Sequence, residues 1–501
     1  MSPFGWLDSV VLGVYFVGVL AVGLWFGRGE RGTHDYFLGA RRQHWLAVGM
    51  SIIATEVSAL TFISVPADSF RSDWNYLQLY AGSFLGRMLI VLFLLPAFYG
   101  ASVTTVYEYL GRRFGPWTRL TGSLMFFASR IIGSGIRLLA ASIAISAIFG
   151  WSLVWVLVGS AGIAVVYTTY GGIKAIIWTD ALQALVFIGA GLAAIAFLLY
   201  ATPGSFVDNI SAAYQAGKLD TFTWDLNPNN ERTFWVLMIH ATVMNMAALG
   251  TDQDLTQRML TCPDLRRGQR SLIFNAFAGL PVVCLFLLIG SLMFVYFSAV
   301  PMRPLSDEVS ASGDRIFPYL IAHHVPANYG LKGLLIAGVF AAAMSSLDSA
   351  LGAMSSTAVT DFYKPWMRAR RADEARSDDY YLLIARLFSL LFAAILVAVA
   401  LAFAKHDELL WEVFRWVGLI FGAMLGVFVL GVATKNRGDD RLNALAMVTS
   451  VAFLVVLKYV QESTGHVYIA WPWWVVIGTA WTFVVGVCLP TRASQNSRAR
   501  E

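Results

Sequence analysis

The feature that most constrains this chain is a succession of apolar runs, each long enough to cross a lipid bilayer. Roughly 18 or more apolar residues wound as a helix span the hydrocarbon core. Such runs lie near 6–26, 45–65, 75–98, 119–148, 151–169, 174–200, 233–250, 271–299, 329–361, 380–403, 411–434, 441–461 and 472–490. They predict an all-α membrane protein with thirteen transmembrane helices. The runs are continuous rather than alternating, which selects helices over a β-barrel. Only 13% of residues are charged and 57% are hydrophobic. A soluble domain carries about 25% charged residues, so the chain lacks the polar surface to face water all round. The first run follows no basic stretch and exceeds a signal-peptide core in length, so it reads as a retained helix.

The net charge of +5 is a matter of topology, not of nucleic-acid binding. With the N-terminus outside, 23 Lys and Arg fall in inside segments against 6 in outside ones, the inside set including Arg41, Arg42, Arg112, Arg113, Arg266, Arg267, Arg270, Arg368 and Arg437. Short basic loops stay in the cytoplasm, so an N-out, C-in arrangement in the inner (plasma) membrane is predicted. Cys262, Cys284 and Cys488 provide no disulfide framework. Residues 491–501 leave no room for a signalling domain after the last span.

A single transmembrane domain over 1–501 is expected. It divides into an extra N-terminal helix and loop (1–44), a first repeat (45–200), a second repeat (233–434) and two extra C-terminal helices (441–490). The two repeats hold five spans each and run in opposite directions, the geometry of a five-plus-five inverted repeat. The inside segment 250–270 reads as a basic loop with short helical pieces. Asp314 to His324 reads as a short amphipathic helix on the outer face.

Three polar groups sit where a membrane helix should be apolar. The run Ala342-Ala-Met-Ser-Ser-Leu-Asp-Ser-Ala350 places Ser345, Asp348 and Ser349 on one face. Hydroxyls, carboxylates and freed carbonyls are what a hard cation needs, and an intramembrane Asp marks an ion path by default. Small polar residues also glue helices together, the plainer reading of the serines alone. Gly171 and Gly172 predict a tight inside turn, with Asp180 about one turn into the next span, either near a cation or complementing a helix dipole. The span from Trp45 carries Ser51, Thr55, Glu56, Ser58 and Thr61. If that helix unwinds, the carbonyls of Ala54 and Val57 are freed, and Ser58 and Thr61 face a solute. Glu56 needs a buried partner, for which Arg130 or Arg137 is expected. His240 reads as a hydrogen-bonded helix contact and His323-His324 as a solvated pair. No phosphate loop, His-Glu-x-x-His or Cys/His cluster points to an enzyme.

These residues resemble the sodium:solute symporter family: Tyr-Gly-Gly-Ile-Lys-Ala-Ile-Ile-Trp-Thr-Asp at 170–180, Asp252-Gln253 with Gln257-Arg258, and the Ser345-Ser346 pair. The resemblance spans nearly the whole chain and implies a LeuT-like fold working by alternating access. It implies a sodium site at Ala54, Val57, Ala342, Ser345 and Ser346, and a second one at Asp180, Ser345, Asp348 and Ser349. Asp348 stands where a hydroxyl is more usual. Solute positions fall on Ser58, Thr61, Tyr80 and Asn245. The inner-gate aromatic of sugar carriers falls on Ala248 or Leu249, and the Arg of a sialic acid carrier on Gly133. The stretch 104–114 is nearest to carriers of monocarboxylates, vitamins and related anions. The implied protein is a sodium-coupled importer of a small organic anion, working as a monomer in lipid, with sodium as coupling ion. A sodium/sugar or sodium/amino acid symporter, or a proton-coupled carrier of the same fold, is the alternative.

Overall fold

In the computed structural model, described over residues 4–27, 33–299, 313–370, 377–405 and 409–488, every extended element is a helix. The main helices are α1 (Trp6–Phe26), α2 (Trp45–Glu56), α3 (Ala59–Arg71), α4 (Asn75–Ala101), α5 (Pro116–Phe149), α6 (Leu153–Ala201), α7 (Phe234–Gly250) and α8 (Gln253–Leu260). They continue with α9 (Leu265–Ala299), α10 (Leu331–Thr357), α11 (Asp378–Phe403), α12 (Leu409–Ala433), α13 (Asp440–Thr464) and α14 (Pro472–Cys488). Among the described residues nine helical segments are long and apolar enough to cross a membrane. Two bent pairs, α2 with α3 (55°) and α7 with α8 (62°), raise the number to eleven. Two shorter apolar helices, Leu153–Val166 and Pro472–Cys488, stand beside them.

The core is made by the bent pairs and by α10, which lies buried along most of its length. The outer helices α1, α11 and α13 bury only one stripe and present Val14, Leu390 and Val456 outward, as lipid-facing surfaces do. Hydrophobic burial cannot drive helices together in lipid, so close backbone approach takes its place. Gly82 and Gly86 of α4 face α7: a Cβ at Gly86 would lie 2.6 Å from the Thr242 carbonyl oxygen, and one at Gly82 would run into that of Met238. Gly426 of α12 is pressed in the same way against Thr479 of α14. Asp8 ties α1 to the start of α10, its carboxylate accepting from the backbone N–H groups of Gly5 (3.0 Å), Asn328 (2.7 Å) and Gly333 (3.2 Å).

The predicted turn at the glycine pair is a break inside α6, where Gly172 takes φ 52° and ψ −166°, a conformation L side chains rarely adopt. Three expectations are corrected. The segment 250–270 contains a short helix, α8, as expected, but it is not a surface loop: every residue of α8 is buried. Its low apolar content hid that burial: Asp254 and Arg258 are spent on internal ion pairs, and Gln253, Thr256 and Gln257 on internal hydrogen bonds. The helix Ile316–His323 forms next to Asp314 as expected, but it is packed inward: Ile316, Phe317, Leu320 and Ile321 are fully buried. The His323-His324 pair is half-buried rather than free in water: His324 Nδ1 lies 3.0 Å from the Tyr296 hydroxyl, and the His323 ring packs at a tilt against Tyr319. The segments 300–312 and 371–376 and the tail 489–501 lie outside the described residues.

Replacing Gly82 by Ala is expected to lower the melting temperature in detergent. Forcing a methyl into a closed helix contact costs about 1–3 kcal/mol, and an unchanged melting curve would contradict the α4–α7 contact.

Candidate functional site

The break between α2 and α3 falls at Val57 (φ −78°, ψ 75°) and Ser58 (φ −84°, ψ −178°). In an unbroken helix the Ser58 N–H would reach the Ala54 carbonyl; here it donates to Glu56 O at 2.9 Å. The freed Ala54 carbonyl instead accepts from Ser345 Oγ of α10 at 2.9 Å. Ser345 Oγ also lies 3.4 Å from the Ala342 carbonyl. Ser346 Oγ lies 3.4 Å from the same oxygen and 3.5 Å from Thr55 O. Carbonyls of Ala54 and Ala342 and hydroxyls of Ser345 and Ser346 thus converge where the helix is interrupted. Val57 ends the first half of the pair, and no backbone N–H among the described residues donates to its carbonyl. The set is neutral, buried and made only of oxygen donors, a composition that suits a hard monovalent cation.

Next to it lies a buried ionic network. Asp180 Oδ2 accepts from Ser51 Oγ (2.6 Å) and Arg258 Nη2 (3.0 Å). Arg258 also pairs with Asp254, and its Nε donates to Ser51 Oγ at 2.8 Å. Arg130 bridges Asp252 (2.6 Å) and Asp254 (3.0 Å). Ser349 Oγ donates to Asp254 at 3.3 Å, and the Ser349 N–H donates to Asp348 Oδ1 at 2.6 Å. All of these carboxylates are buried. Each ion was costly to remove from water, and only the pairing offsets that cost. Asp180 and Ser349 are therefore engaged by Arg258 and Asp254, two residues that had not been assigned to the site. Asp254 and Arg258 stand four apart on α8, a spacing that brings opposite charges together on a helix.

On the other side of the break is a cavity of about 180 Å³. Ser58, Thr61, Tyr80 and Asn245 all line it, so the four expected solute positions share one chamber. Gly133 and Ala248 also face it. Gly279 leaves room for the Tyr80 hydroxyl, which would lie 2.5 Å from an added Cβ. Glu56 forms one wall, and its partner is neither Arg130 nor Arg137. Arg87 Nη2 donates to both Glu56 oxygens at 2.8 and 3.0 Å, and Asn275 Nδ2 to one of them at 2.7 Å. Arg87 Nε in turn donates to Asn275 Oδ1 at 2.7 Å. Arg87 follows from its sequence position, since a charge in the middle of the apolar run 75–98 is a site candidate by default. The choice of partner depends on how α4 and α9 pack beside the break. His240 is a helix contact as expected, 2.9 Å from the Pro472 carbonyl. Beyond Leu410, which lines both, lies a second cavity of about 240 Å³ walled by Asp68, Arg71, Arg232, Asp314 and Trp411. Among the described residues no cluster of three His, Cys, Asp or Glu side chains has the arrangement of a transition-metal site.

A broken helix pair crossed by a Ser-Ser helix, beside a polar chamber, is a transporter arrangement. The profile of the sodium:solute symporter family matches residues 36–440. The chain belongs to that family. This symporter is 30% identical over 474 residues to the sodium/sialic acid symporter SiaT of Proteus mirabilis, covering 93% of this chain and 92% of that one. It is 26% identical to the human sodium-coupled monocarboxylate transporter 1, over 85% of this chain and 69% of the relative. Among solved structures it superposes on a substrate-bound, outward-open sodium-coupled sialic acid symporter with a TM-score of 0.84, at 28% identity over 97% of this chain and 98% of the other. A nucleobase-cation-symport-1 transporter shares the fold at a TM-score of 0.56 and 14% identity.

Removing one member of the Glu56–Arg87 pair leaves a buried charge without a partner, which costs about 3–5 kcal/mol. Arg87→Met is therefore expected to unfold at markedly lower temperature. The double variant Glu56→Gln/Arg87→Met should recover part of the loss, and additive losses in a thermal double-mutant cycle would count against the pairing.

Proposed function

We propose that this symporter imports a small organic anion, such as a monocarboxylate, vitamin or sugar acid, driven by the inward sodium gradient through alternating access. The observation that carries the proposal is the Ala54 carbonyl, released by the helix break and met by Ser345 Oγ at 2.9 Å. Sodium would displace that hydrogen bond and take the carbonyls of Ala54, Val57 and Ala342 and the hydroxyls of Ser345 and Ser346 as ligands. Binding at this point joins α2, α3 and α10, and so couples the ion to the arrangement of the helices lining the solute chamber. The chamber holds the solute near Ser58, Thr61, Tyr80 and Asn245, directly beyond the same break. A second sodium would use Asp180, Ser345, Asp348 and Ser349, in competition with Arg258 for Asp180.

We read the chain as thirteen crossings, N-terminus outside and C-terminus inside, functional as a monomer in the inner membrane. Nine long segments, two bent pairs and two shorter apolar helices support that number, and the basic inside loops support the orientation. The bent pairs α2–α3 and α7–α8 occupy equivalent places in the segments 45–200 and 233–434, as an inverted repeat requires. A proton-coupled carrier would have no use for the two neutral hydroxyls, which is why sodium is preferred.

The purified protein should melt at a higher temperature in sodium than in potassium or choline at equal ionic strength, because a ligand bound only to the folded state stabilises it by mass action. Ser346→Ala should lose that sodium-specific shift. Equal melting in all three salts would remove sodium as the coupling ion and turn attention to Asp348, Asp180 and Glu56 as proton carriers.

A further inference from the structure

The charged side chains around the solute chamber are three guanidiniums, Arg87, Arg130 and Arg137, and two carboxylates, Glu56 and Asp252. Two of the guanidiniums are neutralised in direct contact. Arg87 is held by Glu56 and Asn275, and Arg130 by Asp252 and Asp254. The carboxylates behind the wall are taken as well, since Asp180 and Asp254 both pair with Arg258. Arg137 differs. It projects from α5 into the chamber, no carboxylate among the described residues pairs with it, and its Nε is buried without a hydrogen-bond partner. Two of the neutral polar groups in the chamber are already engaged elsewhere: Asn245 Oδ1 accepts from Ser83, its Nδ2 donates to the Ala241 carbonyl, and the His240 ring is turned toward Pro472 O.

A guanidinium enclosed in a protein wall without a counter-ion is costly, and intramembrane charges of this kind are retained for a ligand or an ion path. The planar fork of Arg presents two parallel N–H donors that match the two oxygens of a carboxylate, a match that lysine does not provide. Resting on the symporter reading above, we infer that Arg137 is the receptor for the acid group of the solute, and that the chamber selects a solute carrying one uncompensated carboxylate. Gly133, one turn earlier on the same helix, complements it. A Cβ there would meet only Val417 and Val413, at 3.4 and 3.8 Å, so the wall leaves space beside the guanidinium for the body of the solute. One carboxylate against Arg137 also leaves the loaded chamber without net charge from this contact. The positive charge to be moved is then that of sodium alone, at its own cage.

Three matched pairs test this by thermal stabilisation of the full-length protein in sodium: lactate and lactamide, nicotinate and nicotinamide, N-acetylneuraminate and its methyl ester. Each pair differs chiefly in the negative charge. At least one acid should stabilise the wild-type protein at a tenfold or more lower concentration than its neutral partner. Arg137→Gln should abolish that preference, and Arg137→Lys should restore only part of it. No preference for any acid over its partner, or a preference undiminished in Arg137→Gln, would overturn the inference. The sodium-specific shift of Arg137→Gln, measured without solute, shows that the variant is folded. It also separates the two readings: loss of the sodium response in the wild-type protein would defeat sodium coupling, while the acid-over-neutral comparison, repeated in potassium, would still decide the role of Arg137.

Discussion

Inside a bilayer there is no water to receive a backbone carbonyl that a helix has released, so an interrupted helix is possible only where other protein groups take over. The break at Val57 and Ser58 is the point on which the rest of this structure depends. Its Ala54 carbonyl is met by Ser345 of α10, and its Thr55 carbonyl lies at the edge of hydrogen-bond distance from Ser346. The same break separates the oxygen cage from the chamber. A group that binds on one side therefore acts on backbone that also shapes the other.

The helices around this point are held by two kinds of contact. At the periphery, glycines let backbones touch, as Gly86 does against Thr242. In the centre, buried ions replace that packing with pairing. Ser51 and Arg258 hold Asp180, Asp254 joins Arg258 to Arg130, and Ser349 attaches α10 to Asp254. Such pairs add little net stability over apolar packing, but they penalise any arrangement that leaves one partner alone. That property favours a few defined helix arrangements over free sliding. The second cavity beyond Leu410 is closed in part by Trp411, whose Nε1 donates to Asp68 at 3.2 Å.

Much of this was legible in the residues. The apolar runs announced the membrane, the polar groups in the spans from Trp45 and Leu331 announced the cage, and Gly171-Gly172 announced the turn before Asp180. Ser58, Thr61, Tyr80 and Asn245 line one chamber. Other features were not legible. The burial of α8 was hidden, because a buried helix whose polar side chains are all paired internally has the composition of an exposed one. Glu56 was matched with the wrong arginines, because three were within reach of its span and nothing in the linear order distinguishes them.

The sequence by itself determined which segments are apolar enough to cross a membrane and which side chains there demand a partner, because both follow from the cost of placing a given group in hydrocarbon. That cost depends on the residue and its neighbours along one helix. Only the tertiary structure decided the pairing: Arg87 to Glu56, Arg130 and Arg258 to Asp254, and Arg137 left facing the chamber. Pairing depends on which helices meet and at what rotation, and the packing of all of them together sets that geometry.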